Sequence, residues 1–155
     1  QREIKVNYSV APMSESAFSN YIFSDMKENY TGRVTPSWID DLQENQVFVF
    51  GSNLAGMHGG GAARIARLRF GAVMGNGVGM QGRSYATMQG GTKTIRPYVD
   101  DFIAYAKKHP ELTFLVTPIG CGIAGFEPED IAPLFEVASY VENIWLPKSF
   151  WKVLE

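Results

Sequence analysis

The residues of this chain best placed to do chemistry lie in two glycine-rich stretches. The first holds Gly51, Ser52, Asn53, His58 and the triplet Gly59-Gly60-Gly61. The second is Gly120-Cys121-Gly122-Ile123-Ala124-Gly125, closed by Phe126. Glycine accepts positive φ and lets the backbone come within hydrogen-bonding distance of a phosphate. Free N–H groups at helix starts then meet the negative charge with no lysine or arginine required. Taken singly, a glycine run makes a tight turn and nothing more. Two of them, each following an apolar strand and preceding a helix, predict a ligand site.

Single side chains add to this. Asn53 and His58 both precede the first triplet, His58 directly beside it. A loop histidine has the chemistry for proton transfer or phosphate contact, and equally for a structural bond to backbone. Cys121 would be a nucleophile if a helix N-terminus lowered its pKa, and otherwise packs as a small residue. His109, just before Pro110, reads as a helix-end residue. No Cys and His cluster has metal-ligand spacing, so no metal site is expected. No cofactor is implied either. A P-loop is absent, because neither loop ends in lysine followed by serine or threonine. Residues 77–82, GVGMQG, match the dinucleotide fingerprint by letter, but they follow a helix and precede a strand, the reverse of the required order. Arg83 is a candidate phosphate contact, and residues 75–82 are a candidate lid.

These groups need a scaffold. Val47-Phe48-Val49-Phe50 and Phe114-Leu115-Val116 are continuous apolar runs, as expected of strands covered on both faces. Residues 84–87 form a weaker strand, and residues 143–147 a short final one. Residues 62–70 predict a helix after the first loop. Ile95, Val99, Phe102, Ile103 and Ala106 give the clearest helical stripe, closed at His109-Pro110. Pro128, Glu129 and Asp130 open a helix with Ile131, Leu134, Phe135 and Ala138 as its buried face. Residues 148–154 close the chain as a helix, with Phe150 and Trp151 in the core. Ser14, with Phe18, Ile22 and Met26, predicts a further helix near the start. The domain reading is an N-terminal helical extension, residues 1–32, and an α/β domain, residues 33–155.

Composition sets the outer limits. With 155 residues, 45% apolar and 19% charged, the chain has the balance of one globular domain. A net charge of −2 gives no basic excess for nucleic acid, and the arginines at 64, 67 and 69 read as a solvated face. No apolar run is long enough for a membrane span. One cysteine and no apolar signal core make a cytoplasmic location the expectation.

Residues 47–63, VFVFGSNLAGMHGGGAA, resemble the first ligand loop of macrodomains, the ADP-ribose-binding family. Residues 118–126, PIGCGIAGF, look like that family's diphosphate loop, with a Gly-Cys-Gly core similar to microbial poly(ADP-ribose) glycohydrolases. A bacterial group of macrodomain-like proteins shares FGSN, HGGGAA, QG-SYA and IGCGIAGF. The resemblance covers residues 45–147 in outline and implies a three-layer α/β fold, a mixed sheet flanked by helices.

It further implies ADP-ribose or a related diphosphate nucleotide as the partner. Asn53 would face the distal ribose, Asn53 and His58 together positioning that ribose and a water in a hydrolytic version, and Gly59, Gly60 and Gly61 would pass beside the ribose and the diphosphate. Gly120, Cys121, Gly122, Ile123, Ala124 and Gly125 would wrap the diphosphate, with Phe126 stacking on the ribose or adenine side. Asp40 and Asp41 occupy the stretch of the family's adenine-contacting aspartate, without its Gly-Asp-Ile lead-in. The chain departs from the hydrolytic classes, with Ala62-Ala63-Arg64 after the triplet where one class has an aspartate. Gln81 is followed by Gly82-Arg83 where another has a glutamate pair. Binding, with or without hydrolysis of an ADP-ribosyl linkage, is the expected function. A non-catalytic module for NAD or a signalling nucleotide is the alternative.

Overall fold

In a computed structural model, residues 32–53, 55–88, 92–122 and 124–155 are described. The helix expected around Ser14 lies outside them, as does all but the last residue of the extension it belongs to. The described residues form an α/β domain with a six-stranded mixed sheet. Its strands are β1 (Val34–Thr35), β2 (Gln46–Ser52), β3 (Gly79–Gln81), β4 (Ser84–Met88), β5 (Thr113–Val116) and β6 (Ile144–Pro147). The helices are α1 (Gly61–Arg69), α2 (Thr92–Lys108), α3 (Pro128–Ile131) and α4 (Lys148–Leu154). Strand order is β1-β6-β5-β2-β4-β3, parallel except for β3 against β4.

Alternation along the central strands explains why the apolar runs are unbroken. Val47 and Val49 of β2 join one core cluster with Tyr85, Phe114 and Val116. Phe48 and Phe50 join a second cluster with Ala86 and Leu115, on the opposite face. The α2 stripe packs on the first cluster through Ile95, Val99, Phe102, Ile103 and Ala106. Ala63 and Ala66 bring α1 onto the second. Phe150 and Trp151 are buried in the first cluster, as the sequence predicts.

Two features differ from expectation. The helix beginning at Pro128 is not continuous: α3 ends at Ile131 and two 3₁₀ turns follow, Ala132–Phe135 and Val137–Tyr140. Pro133 has no N–H to continue the ladder. Ile131, Leu134, Phe135 and Ala138 are nevertheless all buried. The second difference is β3, an antiparallel edge strand inside the glycine-rich stretch. A two-residue turn, Gly82-Arg83, joins it to β4, and Gly82 has φ +61°. The fingerprint-like GVGMQG therefore runs into a hairpin and opens no helix.

The connections fix where a site can be. From β2 the chain passes through α1 to β4 on one side, and from β5 it passes to β6 on the other. The crevice between the C-terminal ends of β2 and β5 is thus a topological switch point, where open α/β sheets bind ligands.

Candidate functional site

A cleft occupies that crevice, with about 360 Å³ of empty space counting its solvent-open mouth. Measured as room for the centre of a water molecule, the cavity is about 70 Å³, well below the roughly 300–1,000 Å³ typical of small-molecule sites, so the cleft is shallow and open. Gly51 of β2 forms its floor. Gly60, Gly61, Ala62 and Ala63 form one wall at the start of α1, and Thr117, Pro118, Ile119 and Gly122 form the other.

The α1 wall offers hydrogen-bond donors. Arg64 N donates to Gly60 O at 3.2 Å, the first intrahelical bond. The N–H groups of Gly61, Ala62 and Ala63 precede it, so the helix gives them no partner. Gly60, in the N-cap position, carries no capping side chain, and the first turn has no acidic residue. Gly61 has φ +57°, which an L side chain would strain. The positive helix end therefore faces the cleft uncompensated.

The opposite wall is held by β2. Thr117 donates its backbone N–H at 3.1 Å and its hydroxyl at 2.7 Å to Val49 O. Beyond it, the second loop spends three of its amides internally. Cys121 N–H donates to Pro118 O, Gly125 N–H to Gly122 O, and Phe126 N–H to Gly120 O. Gly120 is buried at φ +79°, where an added Cβ would meet Ile131. Of the loop expected to wrap a diphosphate, Gly122 lines the cleft, while Cys121, Gly125 and Phe126 use their amides on the loop itself. Ile123 lies outside the described residues, and Ala124 does not line the cleft. Phe126 packs on the first core cluster.

The first stretch also sorts itself. Gly51, Gly60 and Gly61 line the cleft; Ser52, Asn53, His58 and Gly59 do not. His58 is fully buried, with Nδ1 2.9 Å from Ser52 Oγ and Nε2 2.8 Å from Val73 O. A carbonyl can only accept, so Nε2 carries a proton and, in the neutral ring, Nδ1 accepts from the serine hydroxyl. Both nitrogens are engaged, which makes His58 a strut under the loop. Asn53 is exposed, and its Oδ1 accepts the Met57 N–H at 3.0 Å, closing a turn ahead of the triplet.

Other candidates are placed away from the cleft. Arg83 donates to Leu42 O at 2.7 Å and Gln43 O at 2.8 Å, at the N-terminal end of β4. Asp40 pairs with Arg69 at the far end of α1, and Asp41 Oδ1 accepts the Leu42 N–H. Residues 75–82 are pinned beside the first loop and do not overhang the cleft. Gly75 N–H donates to Gly56 O at 2.9 Å, and Gln81 Oε1 accepts the Val73 N–H at 2.7 Å. Cys121 is partly buried and donates its thiol to Ile119 O. Burial, then the carboxylates of Glu127, Asp130 and Glu129, push its pKa up, the opposite of an activated nucleophile.

Sequence reasoning missed Thr117, Pro118, Ile119, Ala62 and Ala63 as lining residues. The signal was present for the first three, which directly follow a buried strand. No cluster of three or more His, Cys, Asp or Glu residues suited to a metal occurs among the described residues. None of their helices is long and apolar enough to cross a membrane. No family model, curated protein or solved structure matches the chain.

Proposed function

We propose that the cleft binds ADP-ribose or an ADP-ribosyl derivative, in a domain of the macrodomain-like three-layer kind. The observation carrying this is the uncapped start of α1 at the switch point between β2 and β5. Its N–H groups suit a diphosphate, and the glycines beside them allow close approach. The loop motifs FGSN, HGGGAA and IGCGIAGF add the family resemblance, which points to ADP-ribose among diphosphate ligands. NAD and signalling nucleotides share the diphosphate, so a module for one of these is the alternative.

Binding is the part of the reading with direct geometric support. The lining supplies glycine, alanine, threonine, proline and isoleucine, none of which titrates. A hydrolytic version would orient its water through the ligand's own phosphate, with Asn53 setting the loop beside the distal ribose. An unchanged hydrolysis rate in Asn53→Ala would remove that version.

Amide chemical shifts test the site itself. Adding ADP-ribose should move the Gly61, Ala62, Ala63 and Gly122 resonances and leave those of Arg83 and Asp40 in place. Shifts concentrated elsewhere on the protein would overturn the assignment.

A further inference from the structure

Four large apolar side chains exposed among the described residues stand together beside the first glycine stretch. They are Met57, Val73, Met74 and Val78, with Met57 58% and Val73 54% exposed. Backbone contacts hold them in one surface. Gly75 N–H donates to Gly56 O, Asn76 N–H to Val73 O, and His58 Nε2 also to Val73 O. The segments that carry them are uncharged, since residues 45–63 and 70–82 contain no Asp, Glu, Lys or Arg. Arg83, the next charge along the chain, is turned to Leu42 O and Gln43 O. An apolar patch without charge has the composition of an interface centre.

Val78 leads directly into β3, which ends the sheet. The two-residue turn makes Gln81 and Ser84 a hydrogen-bonded pair, so alternation leaves Met80 and Tyr85 a non-bonded one. Met80 N–H and C=O therefore point away from β4, along the outer edge. Sheet edges are commonly blunted by charge or proline. Residues 70–82 hold neither. The space beside Gly79 is open, with nothing within 4 Å of an added Cβ, and a glycine in a strand lets a second backbone come close.

We propose that this face binds a second copy of the chain, the two β3 strands running antiparallel about a two-fold axis at Met80, whether or not the cleft holds a nucleotide. A two-fold interface sets one patch against itself, so a charge near the axis meets its like. An uncharged patch escapes that repulsion, and a net charge of −2 adds little between whole copies. The same axis closes the edge, because each Met80 N–H donates to the partner's Met80 C=O. With three residues, β3 pairs only weakly by itself. Val78, Met74, Val73 and Met57 add the apolar burial.

Sedimentation velocity of the ligand-free chain, from about 5 to 500 µM, reads the mass directly. The parent should pass from 17.2 kDa towards twice that mass as concentration rises. Val78→Lys and Met74→Glu should each weaken the dimer more than about tenfold and keep Tm within about 2 °C. Val137→Lys, at an exposed position on the 3₁₀ turn beside β6, should leave it intact. Amide exchange at Met80 should slow with concentration in the parent and stay fast in Val78→Lys. A parent that stays monomeric throughout overturns the proposal and leaves the patch to a partner of another kind. A dimer that survives both charged variants lies on another face and overturns it too. So does a dimer whose Met80 amide exchanges as fast as the monomer's.

Discussion

Ser52 Oγ and His58 Nδ1 lie 2.9 Å apart in a pair sealed from solvent. The imidazole also donates to Val73 O and meets the Phe50 ring edge-on, with centroids 5.2 Å apart. One ring thus ties the end of β2, the first glycine stretch and the segment before β3. Its place beside the triplet in sequence invites a catalytic role, but its contacts are those of a structural tie.

Replacing His58 by alanine should therefore cost stability before anything else. A cavity and stranded partners together are worth about 2–4 kcal/mol. Thermal unfolding should show Tm lower by roughly 5–15 °C. An unchanged Tm with lost hydrolysis would instead return His58 to chemistry.

Glycines in and packed against the first stretch should separate cleanly. An added Cβ at Gly77 would sit 1.8 Å from Asn53 O, a backbone atom that cannot step aside. Gly77→Ala should cost about 2 kcal/mol or more in denaturant unfolding. At Gly59 the same Cβ meets nothing within 4 Å. Gly59→Ala should be neutral or stabilising by up to about 1 kcal/mol.

Gly122 offers a way to block the cleft without harming the fold. It lines the site, is exposed, and an added Cβ there meets open space. Gly122→Leu should keep Tm within about 2 °C and weaken ADP-ribose binding more than about tenfold. Parallel melting and titration measure both.

How much of this was readable in advance follows from the kind of signal each part leaves. The buried strands at Val47–Phe50 and Phe114–Val116 were plain because burial on both faces leaves no polar residue in the run. The α2 stripe was plain for the same reason at helical spacing. The edge strand β3 was hidden, since Gly79-Met80-Gln81 has neither alternation nor β-branched residues and owes its pairing to β4. Pro133 announced the break after α3, and the apolar spacing around it masked the signal. At the site, glycine runs located both walls, but composition cannot say which amides are free. The second loop's internal bonds from Cys121, Gly125 and Phe126 are set by its fold. For His58 the sequence left chemistry and a structural bond equally open, because proximity in sequence says nothing about which way a ring points.

Cys121 gives a pH-dependent test. Burial and the nearby carboxylates raise its pKa, so the thiolate fraction at neutral pH falls below that of a free cysteine. Alkylation of the native protein should be slow at neutral pH and gain speed only at alkaline pH. Cys121→Ala should retain ADP-ribose binding. Rapid alkylation at neutral pH would point to an activated thiol.

Arg33 should be irreplaceable for stability. Its guanidinium donates to Ser139 O, Val141 O and Ile144 O at 3.1, 2.7 and 2.7 Å and lies over the Trp151 ring. Lysine has the charge without the planar fork. Arg33→Lys should cost about 2–3 kcal/mol in denaturant unfolding.

The central claim is tested most directly by calorimetric titration of the protein with ADP-ribose, with AMP and NAD as comparisons. The account predicts saturable one-to-one binding of ADP-ribose, tighter than AMP by about tenfold or more, because AMP lacks the diphosphate. Preference for NAD would favour the alternative module. A folded sample that takes up none of the three, or binds AMP as well as ADP-ribose, would contradict it.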